Sequence, residues 1–133
     1  MKNRAHWVLK NIHLLVSVAI VVPTGIIYGS LSVLPDHLDI QVHTIDLANM
    51  LKAIMFLYLG IAVIWILGMW KERYWKVATQ LNILFMLTLA AGRSLSMIMD
   101  GIPTGGYIFG ITAEVIIGVF SMYQLHRYGA CSV

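Results

Sequence analysis

The chain has 133 residues, of which 59% are hydrophobic and only 11% carry a charged side chain. This polar fraction is too small to cover the surface of a water-soluble globule, so the composition excludes a soluble domain and indicates an integral membrane protein. The formal net charge of +3 does not indicate nucleic-acid binding, because no basic stripe with interleaved aromatic residues exists outside the membrane flanks.

Four apolar stretches are long enough to cross a bilayer, since a spanning helix needs about 20 residues at about 1.5 Å per residue. In chain order they cover approximately residues 12–30, 47–69, 77–99 and 107–123. The predicted fold class is therefore all-α: a four-helix transmembrane bundle. We expect it to form a single domain over residues 1–133, because nothing is left over for a soluble domain.

The basic residues outside these spans all fall on one side of the predicted membrane. They are Lys2, Arg4, Lys10, Lys71, Arg73, Lys76 and Arg127. The other two connections contain aspartates but no lysine or arginine. The positive-inside rule therefore predicts that both termini are cytoplasmic. The first span has no small-residue cleavage site after it, so we interpret it as an uncleaved signal anchor.

Aromatic and histidine residues cluster near the predicted cytoplasmic edge. We expect the aromatic ones to anchor the helices at the interface; they are Trp7, Trp70, Tyr74 and Trp75. The histidines of this region are also expected to be interfacial; they are His6, His13 and His126. Haem ligation would need two histidines at mid-depth on facing helices, so we expect no haem.

Small residues indicate where the helices pack closely. The fourth span contains Gly106, Gly110, Glu114 and Gly118 at four-residue spacing, which places them on one face. Small residues let a neighbouring backbone approach, so Glu114 is expected in a packed seam rather than against lipid. Similar signals occur in the first and third spans, at Gly25 to Gly29 and at Ala90 to Gly92.

Three ionisable residues occur inside three different spans at nearly the same depth. Lys52 is six residues from Asp46, Arg93 is seven from Asp100, and Glu114 is seven from Tyr107. At 1.5 Å per residue, each lies about 9 to 11 Å below the outer interface. Charges in hydrocarbon are costly and usually face the bundle interior, so we expect these three to meet in an outward-facing polar pocket.

Polar companions share these faces at steps of three or four residues, and Tyr28 of the first span lies at a comparable height. The predicted ligand-binding residues are Asn49, Lys52, Arg93, Ser96, Asp100, Glu114 and Tyr28. No cofactor is predicted, although such a pocket can hold a lipid or a quinone.

Parts of the chain resemble a known family. The resemblance is carried by Asn49-Met-Leu-Lys52-Ala53, by Gly92-Arg93 through Asp100-Gly-Ile-Pro103, and by Glu114. These stretches resemble a family of small bacterial four-helix inner-membrane proteins of unknown function, whose broader likeness is to DoxX-type proteins. The resemblance covers nearly the whole chain and implies a bacterial inner-membrane location, but no activity. Lys52 departs from it, since arginine is more usual there.

Two readings of the charged cluster stay open. In the first, it forms a pocket that binds an amphipathic or anionic small molecule, such as a lipid headgroup or a quinone-like compound. In the second, it is a structural salt-bridge network in a non-catalytic accessory subunit of a larger membrane complex. Membrane lipids are the expected partners, together with such a complex or a homo-oligomer. A third reading, an enzyme or a proton-coupled transporter that uses Glu114, is less favoured, because no GxSxG, HExxH or Ser/His/Asp set is present and a single copy lacks internal inverted repeats.

The loop between the first two spans offers a metal-site pattern. Asp39 and His43 are four residues apart, a spacing that lets both contact one metal from a helix. Such pairs occur often by chance, so we expect a solvated loop and no metal. The single Cys131 excludes an intramolecular disulfide and belongs to no CxxC motif.

Overall fold

The computed structural model describes residues 2–30 and 44–129, and these residues form four helices and no strand. In chain order the helices are α1 (Lys2–Gly29), α2 (Ile45–Trp70), α3 (Glu72–Met99) and α4 (Gly105–Tyr128). All four are long and apolar enough to cross a membrane, as expected of a multi-pass membrane protein. The predicted all-helical fold with four helices is therefore confirmed.

The helices begin and end at residues whose local chemistry explains the boundary. Thr44 precedes α2, and its side-chain oxygen accepts a hydrogen bond from the backbone N–H of Leu47 at 3.2 Å. Lys71, in an extended conformation, is the only residue between α2 and α3. Gly101 follows α3 with a φ of 109°, a conformation that other residues rarely adopt.

The helices extend beyond the apolar spans, mainly at their basic ends. α1 begins ten residues before the predicted start at Ile12, and α3 begins five residues before Val77. The predicted spans counted only residues suited to hydrocarbon, and a helix can continue beyond the hydrocarbon region. Amphipathic residues such as Lys10 continue the helix, and Lys10 forms an ion pair with Glu72 at the start of α3.

Contacts between helices show that α1 is antiparallel to both α2 and α4. Trp7 of α1 donates a hydrogen bond to the carbonyl of Met69 near the end of α2, at 3.1 Å. Gln124 near the end of α4 donates to the carbonyl of Leu9 at 2.8 Å. We call this end of the bundle, which holds the start of α1 and the end of α4, the terminal end. The opposite end is called the loop end.

Small residues allow close packing of α1 on α2 and of α3 on α4. A Cβ atom added at Gly25 would lie 2.9 Å from the Cβ of Tyr58, and one added at Gly118 would lie 2.6 Å from Leu87 Cδ2. Both helix contacts therefore need glycine, as predicted. In the third span, close packing was predicted at Ala90 to Gly92. The prediction is only partly correct, because Ala90 is buried while Gly92 faces open space.

The terminal half of the bundle contains a packed core that includes Trp75. Only 1% of Trp75 is exposed, so the prediction that it anchors the interface is wrong. Its ring contacts His13 and Tyr128 edge to face, and Lys10 Nζ lies 4.5 Å above it. By contrast, Trp70 is 76% exposed and remains a candidate anchor. The two residues belong to different helices: Trp70 is the last residue of α2, whereas Trp75 lies in α3 on a face that contacts α1 and α4.

A polar cluster is buried between α1 and α3 in the same half. His13 Nε2 lies 3.0 Å from Thr79 Oγ1, and the Asn82 side chain donates to Ser17 Oγ at 2.9 Å. His13 is only 1% exposed, so the prediction that it is interfacial is wrong. His13 and Ser17 are four residues apart on α1, and their partners Thr79 and Asn82 are three residues apart on α3. Such hydrogen bonds join membrane helices.

Candidate functional site

An ion pair joins α3 to α4 in the loop half of the bundle. Arg93 Nη1 lies 2.7 Å from Glu114 Oε1. Glu114 is 8% exposed and Arg93 is partly buried. The two residues were predicted to meet from their equal depth, and the structure confirms this meeting.

A glycine on α4 makes room for the arginine. A Cβ atom added at Gly110 would lie 2.6 Å from Arg93 Nη1, so any larger residue would displace the guanidinium. Gly110 precedes Glu114 by one helical turn, and Gly118 follows it by another. The glycines that flank Glu114 thus let α3 approach α4, while Glu114 itself supplies the partner for the cation.

Two tyrosines complete the surroundings of Arg93. Arg93 Nη2 donates a hydrogen bond to the Tyr28 hydroxyl at 3.3 Å, which is long for a strong bond. The guanidinium carbon also lies 5.6 Å from the ring centre of Tyr107, within the range of a cation–π contact. Tyr28 was predicted at this site, and the structure places it there.

These residues form the polar end of a cavity of about 300 Å³. The cavity is bordered mainly by α1 and α4, with contributions from α2 and α3. Most of its lining is apolar or aromatic: Ile20, Val21, Ile27, Tyr58, Met86, Leu89, Tyr107, Phe109, Ala113 and Ile117. Thr24, Tyr28, Arg93, Gly106, Gly110 and Glu114 complete it. A small cavity of this kind, apolar with a few convergent polar groups, is typical of a ligand site.

Lys52 is not part of this site. It is exposed on α2, on the same face as Phe56 and Val63, which are also exposed. The predicted meeting of Lys52 with Arg93 and Glu114 is therefore wrong. Equal depth fixes the height of a residue along a helix, but the direction in which it points depends on the rotation of the helix, at about 100° per residue.

Three other predicted residues also lie outside the cavity lining. Asn49 is exposed on α2. Ser96 and Asp100 are exposed near the end of α3, where Ser96 Oγ donates to Asp100 Oδ2 at 2.8 Å. That bond joins side chains one helical turn apart at the end of α3, beyond the level of the ion pair.

The cavity and its ion pair lie within a segment that matches a known family. The family model described as a domain of unknown function, DUF4345, matches residues 9–125. The chain belongs to this family. No match was found among curated proteins or among solved structures. The DUF4345 segment contains Arg93, Glu114 and the whole cavity lining, while its description assigns no activity.

The candidate metal ligands of this DUF4345 protein, Asp39 and His43, lie outside the described residues. Within residues 2–30 and 44–129, no group of three or more histidine, cysteine, aspartate or glutamate side chains is arranged to hold a metal ion.

Sequence reasoning missed the aromatic lining of the cavity. Tyr58 contacts Tyr28 edge to face, with ring centres 6.1 Å apart, and also contacts Phe85. A signal was present, because Gly25 lies one turn before Tyr28 and leaves space for a large residue from the neighbouring helix. The sequence alone did not show that this residue is Tyr58.

Proposed function

We propose that this DUF4345 protein binds the polar head of an amphipathic small molecule, such as a lipid headgroup or a quinone-like compound, taken from the bilayer. The observation that carries the proposal is the cavity of about 300 Å³, which is mostly apolar and has Arg93 and Glu114 at one end. Buried charges inside membrane helices usually mark functional sites. An apolar cavity with a single charged end matches a molecule that has one polar end.

The charge balance favours a neutral head over an anionic one. Arg93 is paired with Glu114 at 2.7 Å, so the two formal charges cancel. Lys52, the second cation that an anion would have needed, is exposed on another face. An anion entering the cavity would meet the Glu114 carboxylate without a compensating extra cation. A neutral head that exchanges hydrogen bonds with the site avoids that repulsion.

The cavity size indicates that only the head is enclosed. Ligand pockets commonly measure about 300 to 1,000 Å³, so this cavity lies at the lower limit. α1 contacts α4 much less extensively than it contacts α2, and the cavity lies between α1 and α4. We therefore place the exit for an apolar tail between these two helices, towards the surrounding lipid.

A second candidate function has one observation in its favour. Arg93 and Glu114 partner each other directly, which is also the arrangement of a structural ion pair. Under this alternative the protein is a non-catalytic accessory subunit of a larger membrane complex, and the pair only fixes the packing of α3 on α4.

Filling the cavity distinguishes the two functions. Ala113→Leu adds three carbon atoms to a residue that lines the cavity, so we expect the purified protein to lose a co-purifying amphipathic molecule. Ala53→Leu makes the same change at an exposed position of α2 and should retain it. The measurement is solvent extraction of each purified variant, with the bound molecule quantified per protein by mass spectrometry.

Equal amounts of extracted molecule from the two variants would contradict the binding proposal. Wild-type protein that contains no stoichiometric small molecule, and that enters a larger complex in the membrane, would favour the accessory subunit instead.

The location and orientation are also part of the proposal. We infer a bacterial inner-membrane protein with both termini in the cytoplasm, as its resemblance to DoxX-like four-helix proteins implies. Support comes from the seven basic residues outside the predicted spans, all of which belong to the terminal end. The cavity would then open near the outer leaflet.

Cysteine labelling in intact cells tests this orientation. In a Cys131→Ser background, we expect Ile102→Cys at the loop end to react with a membrane-impermeant thiol reagent, because Ile102 is 82% exposed. Glu72→Cys at the terminal end should react only after the cells are opened. Neither substitution removes a basic residue, so the topology signal is unchanged. Labelling of Glu72→Cys alone in intact cells would reverse the orientation.

A further inference from the structure

The two oxygens of the Glu114 carboxylate have different surroundings. Oε1 contacts Arg93 at 2.7 Å. Oε2 is buried and has no hydrogen-bond partner among the described residues. A buried carboxylate oxygen that lacks a donor is costly, and such groups in native proteins are normally satisfied. Because Glu114 also lines the cavity, a molecule bound there can supply the missing donor.

We propose that the head of the bound molecule carries a hydroxyl group that donates a hydrogen bond to Glu114 Oε2. This inference rests on the proposed binding function and specifies the chemical class of its ligand. A head that only accepts hydrogen bonds, such as an ether or the carbonyl of an oxidised quinone, would place its lone pairs against those of Oε2, so among quinone-like compounds only the reduced, hydroxyl-bearing form supplies the donor. A hydroxyl supplies the donor that this oxygen lacks, and its own oxygen can still accept.

The neighbouring arginine makes a neutral donor better suited than a cationic one. An ammonium group next to Glu114 would also lie close to the Arg93 guanidinium, and the like charges would repel each other in a site with little water. A hydroxyl adds no charge to the balanced pair. Hydroxyl groups of two kinds reach a bilayer protein, those of phenols and those of lipid alcohols, and both supply the same donor.

Probes that differ only in this donor test the inference. Wild-type protein is placed in uncharged phosphatidylcholine vesicles that contain equal amounts of 4-decylphenol and 4-decylanisole. These probes share a ring and a tail, but the anisole has a methyl group in place of the hydroxyl hydrogen. Native mass spectrometry of the released protein then measures the occupancy of each. We expect about tenfold more phenol than anisole, as one hydrogen bond to a charged group implies.

The cavity-filled Ala113→Leu variant is the control for binding elsewhere on the protein, and it should retain neither probe. A third probe, 1-O-decylglycerol, separates the two sources of the hydroxyl. Occupancy equal to that of the phenol would assign the site to any alcohol, including a lipid one. Occupancy well below it would assign the site to a phenol, whose ring can contact Tyr28, Tyr58 and Phe109.

Glu114→Gln provides a second and independent test. Its amide oxygen can keep the contact with Arg93, and its NH₂ group then occupies the position of Oε2. The cavity would present a donor in place of an acceptor, so the preference for phenol should fall to about one or reverse in favour of the anisole. The side chain keeps its volume but Arg93 loses its anionic partner, so thermal unfolding of the variant in detergent accompanies the measurement and shows that it is folded.

The possible results separate this inference from the function on which it rests. If wild-type protein binds neither probe, the proposed binding function fails. If it binds both probes equally and Ala113→Leu binds neither, the function stands and the hydroxyl inference is overturned. A Glu114→Gln variant that keeps the full preference for phenol also overturns it, because the donor would then be going to another group.

Discussion

Replacing Arg93 by leucine is expected to lower the free energy of unfolding by about 3 to 5 kcal/mol, the usual cost of removing one partner of a buried ion pair. Glu114 would keep its place in the packed seam between α3 and α4, at 8% exposure, without the cation 2.7 Å away. The measurement is the thermal unfolding of the purified variant in detergent. Lys52→Leu removes a cation from an exposed position and should leave the stability nearly unchanged.

The double variant Arg93→Leu, Glu114→Gln should recover much of the lost stability, because the charge that needed a partner is gone. If the pair is only structural, this variant should also complement a deletion strain and restore the wild-type phenotype. If the site binds a ligand, the stable double variant should fail to complement the deletion strain and should contain no co-purifying molecule. A double variant as unstable as Arg93→Leu alone would show that the two residues are not coupled.

Truncating Trp75 to alanine is expected to cost about 3 to 5 kcal/mol of stability, since it leaves a large cavity in the terminal half of the bundle. Trp75 is 1% exposed and belongs to the main hydrophobic core. Its ring contacts His13 on α1 and Tyr128 on α4, so its loss would loosen three helices at once. Thermal unfolding measures the effect.

Trp70→Ala is the matched control, because the same side chain is 76% exposed there. We expect a change below about 1 kcal/mol, as for most exposed positions. A larger loss at Trp70 than at Trp75 would contradict the described packing and would restore the view that Trp75 is an interface anchor.

The number of helices and part of the site were predictable from the sequence because they depend on quantities that the sequence states directly. The length of an apolar stretch determines whether it can cross a bilayer. The meeting of Arg93 with Glu114 followed from two independent signals, their equal depth and the glycines that flank Glu114 on one face. Two signals on the same pair of helices fixed both the height and the direction of the contact.

Depth alone placed Tyr28 correctly, but it was not sufficient for Lys52 or His13. Lys52 had the right depth and shared a polar face with Asn49, but no small residues on that face indicated contact with another helix, and both residues proved to be exposed. His13 was judged by its distance from the cytoplasmic edge. Its burial depends on Thr79, which lies 66 positions later in the chain and 3.0 Å away in space. Pairings of this kind depend on which helices are neighbours, and hydropathy carries no information about that.

An experimental structure of the protein, extracted together with its native lipids, would show whether the cavity holds an amphipathic molecule. We expect elongated density in the cavity between α1 and α4, with its polar end at hydrogen-bond distance, about 3 Å, from Glu114 Oε2 and its tail leaving towards the bilayer. A cavity that holds only water, or that is closed by direct packing of α1 on α4, would contradict this expectation.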